Sequence, residues 1–260
     1  MDISSNIFEK IKKELKSEIS DNESILLKAN EIDLGVVKKH INLERITEII
    51  DSYSLEEENK NLTNTIAVVY NGNPYVTINL CMQSLTSKNK IILFYDDFML
   101  GVNSVLIAII QNVLKEYKLD DLVLAKELSK NINFEKLANQ LSKIVVIGKS
   151  NFYKKLKIDN KEYFPSNNAV LYCDNDEAEE VKNAIYKYSM ETQEELEIVD
   201  DENLENLINT INEDEYINTI IVLTKNNTTK DIFSKKILEK EVYINQNPYK
   251  DEKNKMYKYF

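Results

Sequence analysis

Thiolate or imidazole chemistry in this chain has three carriers to choose from: Cys81, Cys173 and the single histidine, His40. His40 ends the helical-looking stretch Val36-Val37-Lys38-Lys39-His40, where an exposed helical residue is the expectation. Cys81 shares an apolar face with Ile78, Met82 and Leu85, the setting of a small buried thiol. Cys173 is the remaining catalytic candidate, and a reactive cysteine needs a base, a helix N-terminus or a cation to populate the thiolate. Asp174, Asn175 and Asp176 follow it instead, and negative neighbours raise a thiol pKa. Neither cysteine is therefore read as a nucleophile. Two thiols in 260 residues make no disulfide framework and fit a reducing compartment. A zinc site of the Cys/His kind lacks ligands, so no metal is expected.

Phosphate chemistry has one candidate turn. Gly148-Lys149-Ser150 follows the apolar run Lys143–Ile147 and precedes Asn151-Phe152-Tyr153, which can open a helix. Backbone amides at such a turn hold phosphate, and Lys149 would add charge. The full P-loop pattern needs a second glycine where Lys143 stands, and four glycines in the chain cannot make a G-x-G-x-x-G fingerprint. An ordinary strand-ending turn competes with this reading. The acidic groups Asp174-Asn175-Asp176-Glu177 and Asp200-Asp201-Glu202 fit helix N-termini better than a hard cation.

Net charge is −11 and Arg45 is the lone arginine, a poor instrument for neutralising nucleic-acid phosphates. The chain opens with Met1-Asp2-Ile3-Ser4-Ser5-Asn6 and runs straight into an amphipathic segment, without the basic start and apolar run of a leader. No stretch has the uncharged apolar length of a bilayer span. The expectation is a cytoplasmic protein that binds neither nucleic acid nor membrane.

The elements that must position these residues follow from periodicity. Ile3, Ile7, Ile11, Leu15 and Ile19 recur every four residues, and further helices are expected from Ser24 and from Leu43 to Ile50. The polar stretch 54–64 reads as a connector. After it, the runs at 65–70, 90–95, 122–125 and 143–148 are short and apolar without a polar face, as in strands buried on both sides. Helical segments at 75–85, 104–117 and 133–141 separate them. Such alternation implies parallel pairing with right-handed crossovers. The remainder alternates more loosely, with strands at 169–172, 196–199, 219–223 and 242–244 and helices at 177–188, 203–211 and 231–238. The expected fold class is α/β: a Rossmann-like parallel sheet with helices on both faces. The expected regions are an N-terminal helical segment (1–60), the Rossmann-like cofactor-binding-type domain (61–165) and a reduced second α/β subdomain (166–260).

The stretch from Val69 to Leu119 resembles the aldehyde dehydrogenase superfamily, most closely its glutamate-5-semialdehyde dehydrogenase (γ-glutamyl phosphate reductase) branch. Tyr70-Asn71-Gly72-Asn73-Pro74-Tyr75-Val76-Thr77 is similar to the family's R-P-N-V-T turn. Leu85 to Leu93 is similar to its next strand, and Asn103-Ser104 to the S-N before the following helix. Val145 to Gly148 with Asn168 to Asp174 looks like the family's strand, turn and N-C-H-x-Y-x-D region. Asn218–Thr224 and Glu241–Asn245 look like its E-A-I-V-T and V-Y-V-N segments. In colinear pieces the resemblance spans residues 65 to 247.

The resemblance also marks departures. The family's nucleophilic cysteine would fall at Met190 to Glu194, where no cysteine stands. The turn arginine is replaced by Gly72 or Asn73, and the lysine that serves the cofactor ribose would fall at Phe94 or Tyr95. The stretch between the helix after Asp174 and Thr219 is too short for a complete catalytic domain. The positions left for a cofactor are Asn73, Gly148, Lys149 and Ser150. Without the thiolate, no thiohemiacetal or acyl-enzyme forms. The resemblance thus implies a shortened, catalytically inactive relative, an interaction or scaffold module that needs no cofactor. By the family's habit of oligomerising through a projecting strand, the segment 239–260 would mediate homodimerisation or pairing with an intact dehydrogenase. The alternative is an NAD- or NADP-dependent oxidoreductase that retained its crevice and changed its chemistry.

Overall fold

The computed structural model describes residues 3–34, 41–55, 64–95, 99–128, 132–148, 150–164, 168–174, 178–191, 195–199, 203–213, 217–238 and 240–248. The chain divides into two compact units, the first running to Phe164 and the second spanning Pro165–Met256.

The first unit begins with helices α1 (Ser5–Asp21), α2 (Glu23–Leu34) and α3 (Leu43–Asp51). Ser4 and Asn42 cap α1 and α3 with their side-chain oxygens, on Ile7 N–H and Arg45 N–H. The buried stripe of α1 is Phe8, Ile11, Lys12, Leu15 and Ile19, whereas Ile7 is only half-buried. Ile3, Ile11, Leu15 and Ile19 are thus buried as expected, and only Ile7 yields its place to Phe8, because a strict four-residue repeat drifts around a helix of 3.6 residues per turn. Lys12 is buried because its ammonium donates to the carbonyl of Tyr53 at 2.8 Å.

A five-stranded parallel sheet follows, built from β1 (Thr65–Tyr70), β2 (Lys90–Tyr95), β3 (Val123–Glu127), β4 (Lys143–Ile147) and β5 (Lys161–Phe164) in the order β3-β2-β1-β4-β5. Its crossover helices are α4 (Pro74–Ser87), α5 (Leu100–Glu116), α6 (Phe134–Ala138) and α7 (Ser150–Lys155). Ile66 pairs with Ile91 and Val69 with Val146, both in parallel register. The strands at 65–70 and 90–95 therefore pair as expected. Alternate residues serve the two faces. Ala67, Val69, Phe94, Ile144 and Val146 pack with Phe134 and Leu156 from the α6–α7 side. Right-handed crossovers put α4 and α5 on the other face. Strand β5 was not expected from the sequence, because Lys161-Glu162-Tyr163-Phe164 is a mixed, half-exposed edge strand and not an apolar run.

The second unit is a second doubly wound sheet. Strands β6 (Asn168–Cys173), β7 (Glu195–Val199), β8 (Ile217–Leu223) and β9 (Glu241–Ile244) lie in the order β7-β6-β8-β9, all parallel. Helix α8 (Glu179–Glu191) packs its Ile185 on Ala169, Leu171, Ile221 and Leu223. On the opposite face α9 (Leu204–Glu213) contributes Leu207, Ile208 and Ile211. Helix α10 (Asn227–Lys236) adds Phe233, over Val170, Tyr172, Ile220 and Val222. No helix among the described residues is long and apolar enough to cross a membrane. His40 and the acidic residues 175–177 and 200–202 lie outside the described residues.

Candidate functional site

In the first sheet the chain leaves β1 toward β2 and later returns beyond it to β4. The loops after β1 and β4 therefore diverge to opposite faces, and in open α/β sheets the carboxyl ends of strands at such a switch point are the usual ligand position. The loop after β1 is Asn71-Gly72-Asn73, and the loop after β4 begins at Gly148. Three sequence candidates thus meet at one edge: Asn73, Gly148 and Ser150, the first residue of α7. Lys149 and the side chain of Ser150 lie outside the described residues.

Local chemistry explains how these turns form. Gly72 has φ 96° and Gly148 φ 73°, left-handed conformations that a Cβ makes costly. Asn73 is the N-cap of α4: its side-chain oxygen accepts from Tyr75 N–H at 2.9 Å, and Pro74 occupies the first helical position. The Gly148 N–H donates to the carbonyl of Phe164 at 3.0 Å, extending the β4–β5 ladder. The Asn73 side-chain oxygen and the Gly148 N–H are thus engaged in holding the backbone.

Beneath the β1–α4 turn lies a buried polar chain that sequence reasoning missed. Tyr70 donates its hydroxyl to Thr77 Oγ1 at 2.6 Å, and Thr77 donates to Asn103 Oδ1 at 2.5 Å. The Asn103 amide donates to the carbonyls of Gly72 and Met99. All three side chains are fully buried, and burial pushes the Tyr70 hydroxyl pKa up. The chain ties the first turn of α5 to the loop at the switch point. The available signal was a Thr and an Asn in the first turns of largely apolar helices that carry other polar residues as well, since buried polar groups demand partners.

The second sheet has a switch point of its own, between β6 and β8. Cys173 pairs with Leu223 at the ends of these strands. Asp174 accepts a hydrogen bond from Thr224 Oγ1 at 2.8 Å. Asn245, at φ 55°, bonds both backbone groups of Thr224. Cys173 is half-buried and packs against the aliphatic cluster of Ala169, Leu171, Ala178, Ile185, Ile221 and Leu223. Cys81 is buried in α4, and burial raises its thiol pKa. Met190 and Glu191 end α8, and residues 192–194 lie outside the described residues. Among the described residues no group of three or more potential metal ligands assembles.

No family model matches the sequence, and no curated protein matches it. Solved structures do. γ-Glutamyl phosphate reductase from Thermotoga maritima superposes with a TM-score of 0.50 at 14% identity, covering 95% of this chain and 84% of that one. Indole-3-acetaldehyde dehydrogenase gives 0.52 at 10% identity, covering 95% and 73%. The glyceraldehyde-3-phosphate dehydrogenase GapN from Methanocaldococcus jannaschii, complexed with NADP, gives 0.51 at 12% identity, covering 95% and 82%. The fold is that of the aldehyde dehydrogenases. In this aldehyde dehydrogenase fold, the stretches that resemble the family's turns fall at strand ends: Gly72–Thr77 after β1, Thr224 after β8 and Asn245 after β9. At such identities the likeness carries the architecture, and function has to come from the residues.

Proposed function

We propose that this aldehyde-dehydrogenase-fold chain is non-catalytic and acts by binding another protein, as an interaction or scaffold module. The observation that carries the reading is the position of the two thiols. Cys81 is sealed inside α4, and Cys173 packs against aliphatic side chains of the second sheet. The stretch Met190 to Glu194, where the resemblance puts the nucleophile, contains no cysteine. Hydride transfer in this superfamily starts from a thiol adduct, and neither thiol is set to form one. For the partner, β9 is an edge strand that pairs with β8 alone among the described strands. An open edge accepts a further strand, from a second copy or from an intact dehydrogenase. Residues 239–260 include this edge. A nicotinamide absorbance assay against a panel of aldehydes tests the catalytic part, with no turnover expected. Light scattering across a concentration series, with proline placed in β9, tests the edge.

The second reading is an NAD- or NADP-dependent oxidoreductase with altered chemistry. It is favoured by the convergence of Asn73, Gly148 and Ser150 on the first switch point, and by the NADP held by the GapN structure. The described residues fit the group poorly, because the Asn73 side chain caps α4 and the Gly148 N–H serves β5. Calorimetric titration with NAD and NADP decides between the readings. Micromolar affinity, about 8 kcal/mol of binding free energy, would support the second.

A further inference from the structure

The second sheet has two open edges of unlike charge. Its strands are all parallel, and among the described strands β7 pairs only with β6 and β9 only with β8. Residues 174–215, which run from the end of β6 through α8, β7 and α9, hold 16 carboxylates against two lysines. Residues 217–248, which run through β8, α10 and β9, hold five lysines against three carboxylates. The strand order lays this division across the sheet. Glu195 and Glu197 stand on the β7 edge strand, and Lys235 and Lys236 end the helix that leads to the β9 edge.

The β9 side also exposes apolar surface. Leu238, in the connection from α10 to β9, is 62% exposed, and Val242, Tyr243 and Ile244 of β9 are only half-buried. The ammonium of Lys240 donates to the carbonyl of Ile217 at 2.7 Å and fixes the start of this edge. Lys235 and Lys236 are held more loosely. Lys236 lies 3.6 Å from Glu205 of α9 and Lys235 3.0 Å from Asp231, with every side chain of the two pairs more than half exposed. Exposed pairs of this kind contribute little, so both lysines can turn to an acidic surface that approaches them.

Geometry then chooses between the ways two copies can meet. Two like edges meet about a two-fold axis, with their strands antiparallel and like charge facing like. The β9 edge of one copy beside the β7 edge of the next continues the parallel order and faces unlike charge. Copies of net charge −11 repel one another at a distance. That repulsion is screened beyond about 8 Å at physiological ionic strength, so the charges in contact at the edges decide.

We propose that this chain associates with itself head to tail, the β9 edge of one copy adding in parallel to the acidic β7 edge of the next. Such a contact is heterologous and leaves one edge free at each end, so assembly continues past the dimer. The inference rests on the interaction-module reading and deepens it, naming a second copy as the partner and β7 as the surface that β9 meets.

Sedimentation velocity on the full-length protein, over a concentration series at physiological ionic strength, reads the size of the assembly. The wild type is expected to exceed a dimer and to keep growing with concentration. Glu195→Lys/Glu197→Lys puts lysines at both edges, and Lys235→Glu/Lys236→Glu puts carboxylates at both. Each variant alone is expected to stay monomeric, and an equal mixture of the two to assemble again. A wild type that stays monomeric or stops at a dimer overturns the proposal. So does assembly that survives either charge reversal, or a mixture that stays monomeric. Circular dichroism checks that each variant is folded. If Glu195→Lys/Glu197→Lys does not fold, Lys235→Glu/Lys236→Glu is added to wild type, where it is expected to cap growing chains and reduce their size. Unchanged chains would overturn the proposal. Aldehyde turnover would refute the non-catalytic reading and leave the sedimentation result standing, whereas a monomeric wild type would sink this inference alone.

Discussion

Asn245 clasps Thr224 from both sides of its backbone: the amide oxygen accepts from Thr224 N–H at 3.0 Å and the amide nitrogen donates to the Thr224 carbonyl at 3.0 Å. The clasp joins the carboxyl ends of β8 and β9, and Thr224 in turn reaches Asp174 at the end of β6. Asn245→Ala removes both bonds beside a buried residue and places alanine at φ 55°. The expected loss is about 1–3 kcal/mol of stability, read from urea unfolding. Asn245→Gly accepts the backbone angle and still loses the clasp. A glycine variant as stable as the wild type would show that the angle alone matters.

Thr77→Val conserves shape and deletes the hydroxyl between Tyr70 and Asn103. It leaves the Tyr70 hydroxyl and Asn103 Oδ1 without that partner in a fully buried site, at a cost of about 1–3 kcal/mol. Tyr70→Phe in the same background is expected to cost less than it does alone. A double-mutant cycle measures the difference, and simple additivity would mean that the chain is not one unit.

Asn73→Ala tests whether this residue serves structure or ligand. As the N-cap of α4 it is expected to cost about 0.5–2 kcal/mol. Asn73→Asp and Asn73→Ser, which can still accept from Tyr75 N–H, recover most of it. Calorimetry on the alanine variant is expected to leave any nicotinamide nucleotide affinity unchanged, and a loss there would reassign Asn73 to ligand binding.

Alkaline pH is expected to destabilise the first unit. Burial pushes the Tyr53 hydroxyl, which donates to the Asn79 side chain, up to about 12 from an ordinary value of 10.0. Tyr70 and Cys81 shift in the same direction for the same reason. Each holds its proton more firmly folded than unfolded, so the folded state binds more protons once the unfolded groups titrate. The contribution of Tyr53 is complete below about pH 10 and is lost as pH rises through about 12. Denaturant unfolding at stepped alkaline pH measures the slope, and Tyr53→Phe is expected to shallow it.

Cys81 is expected to resist iodoacetamide until the protein unfolds, because burial both blocks access and disfavours the thiolate. Slow labelling is also expected at half-buried Cys173, which packs against an aliphatic cluster and is followed by Asp174. Peptide mass spectrometry over time separates the two sites. Rapid labelling of Cys173 at neutral pH, abolished by Cys173→Ser together with aldehyde turnover, would identify it as a relocated nucleophile.

What the sequence determined by itself is the succession of elements. Runs such as Thr65–Tyr70 and Lys143–Ile147 carry no polar face, so each had to be a strand covered on both sides, and the helical stretches between them required parallel crossovers. Local signals of this kind depend on neighbours a few residues apart. They failed where the signal was weak, as at β5, whose edge position removes the need for a continuous apolar run. Only the tertiary structure decided the strand order, and with it the two switch points. Asp33 finds Gly101 and Asp174 finds Thr224 across 68 and 50 residues. A carboxylate's composition is visible in the chain, but its partner is chosen by which strand ends and helix ends the packed sheets bring within 3 Å of it, and no local propensity carries that information.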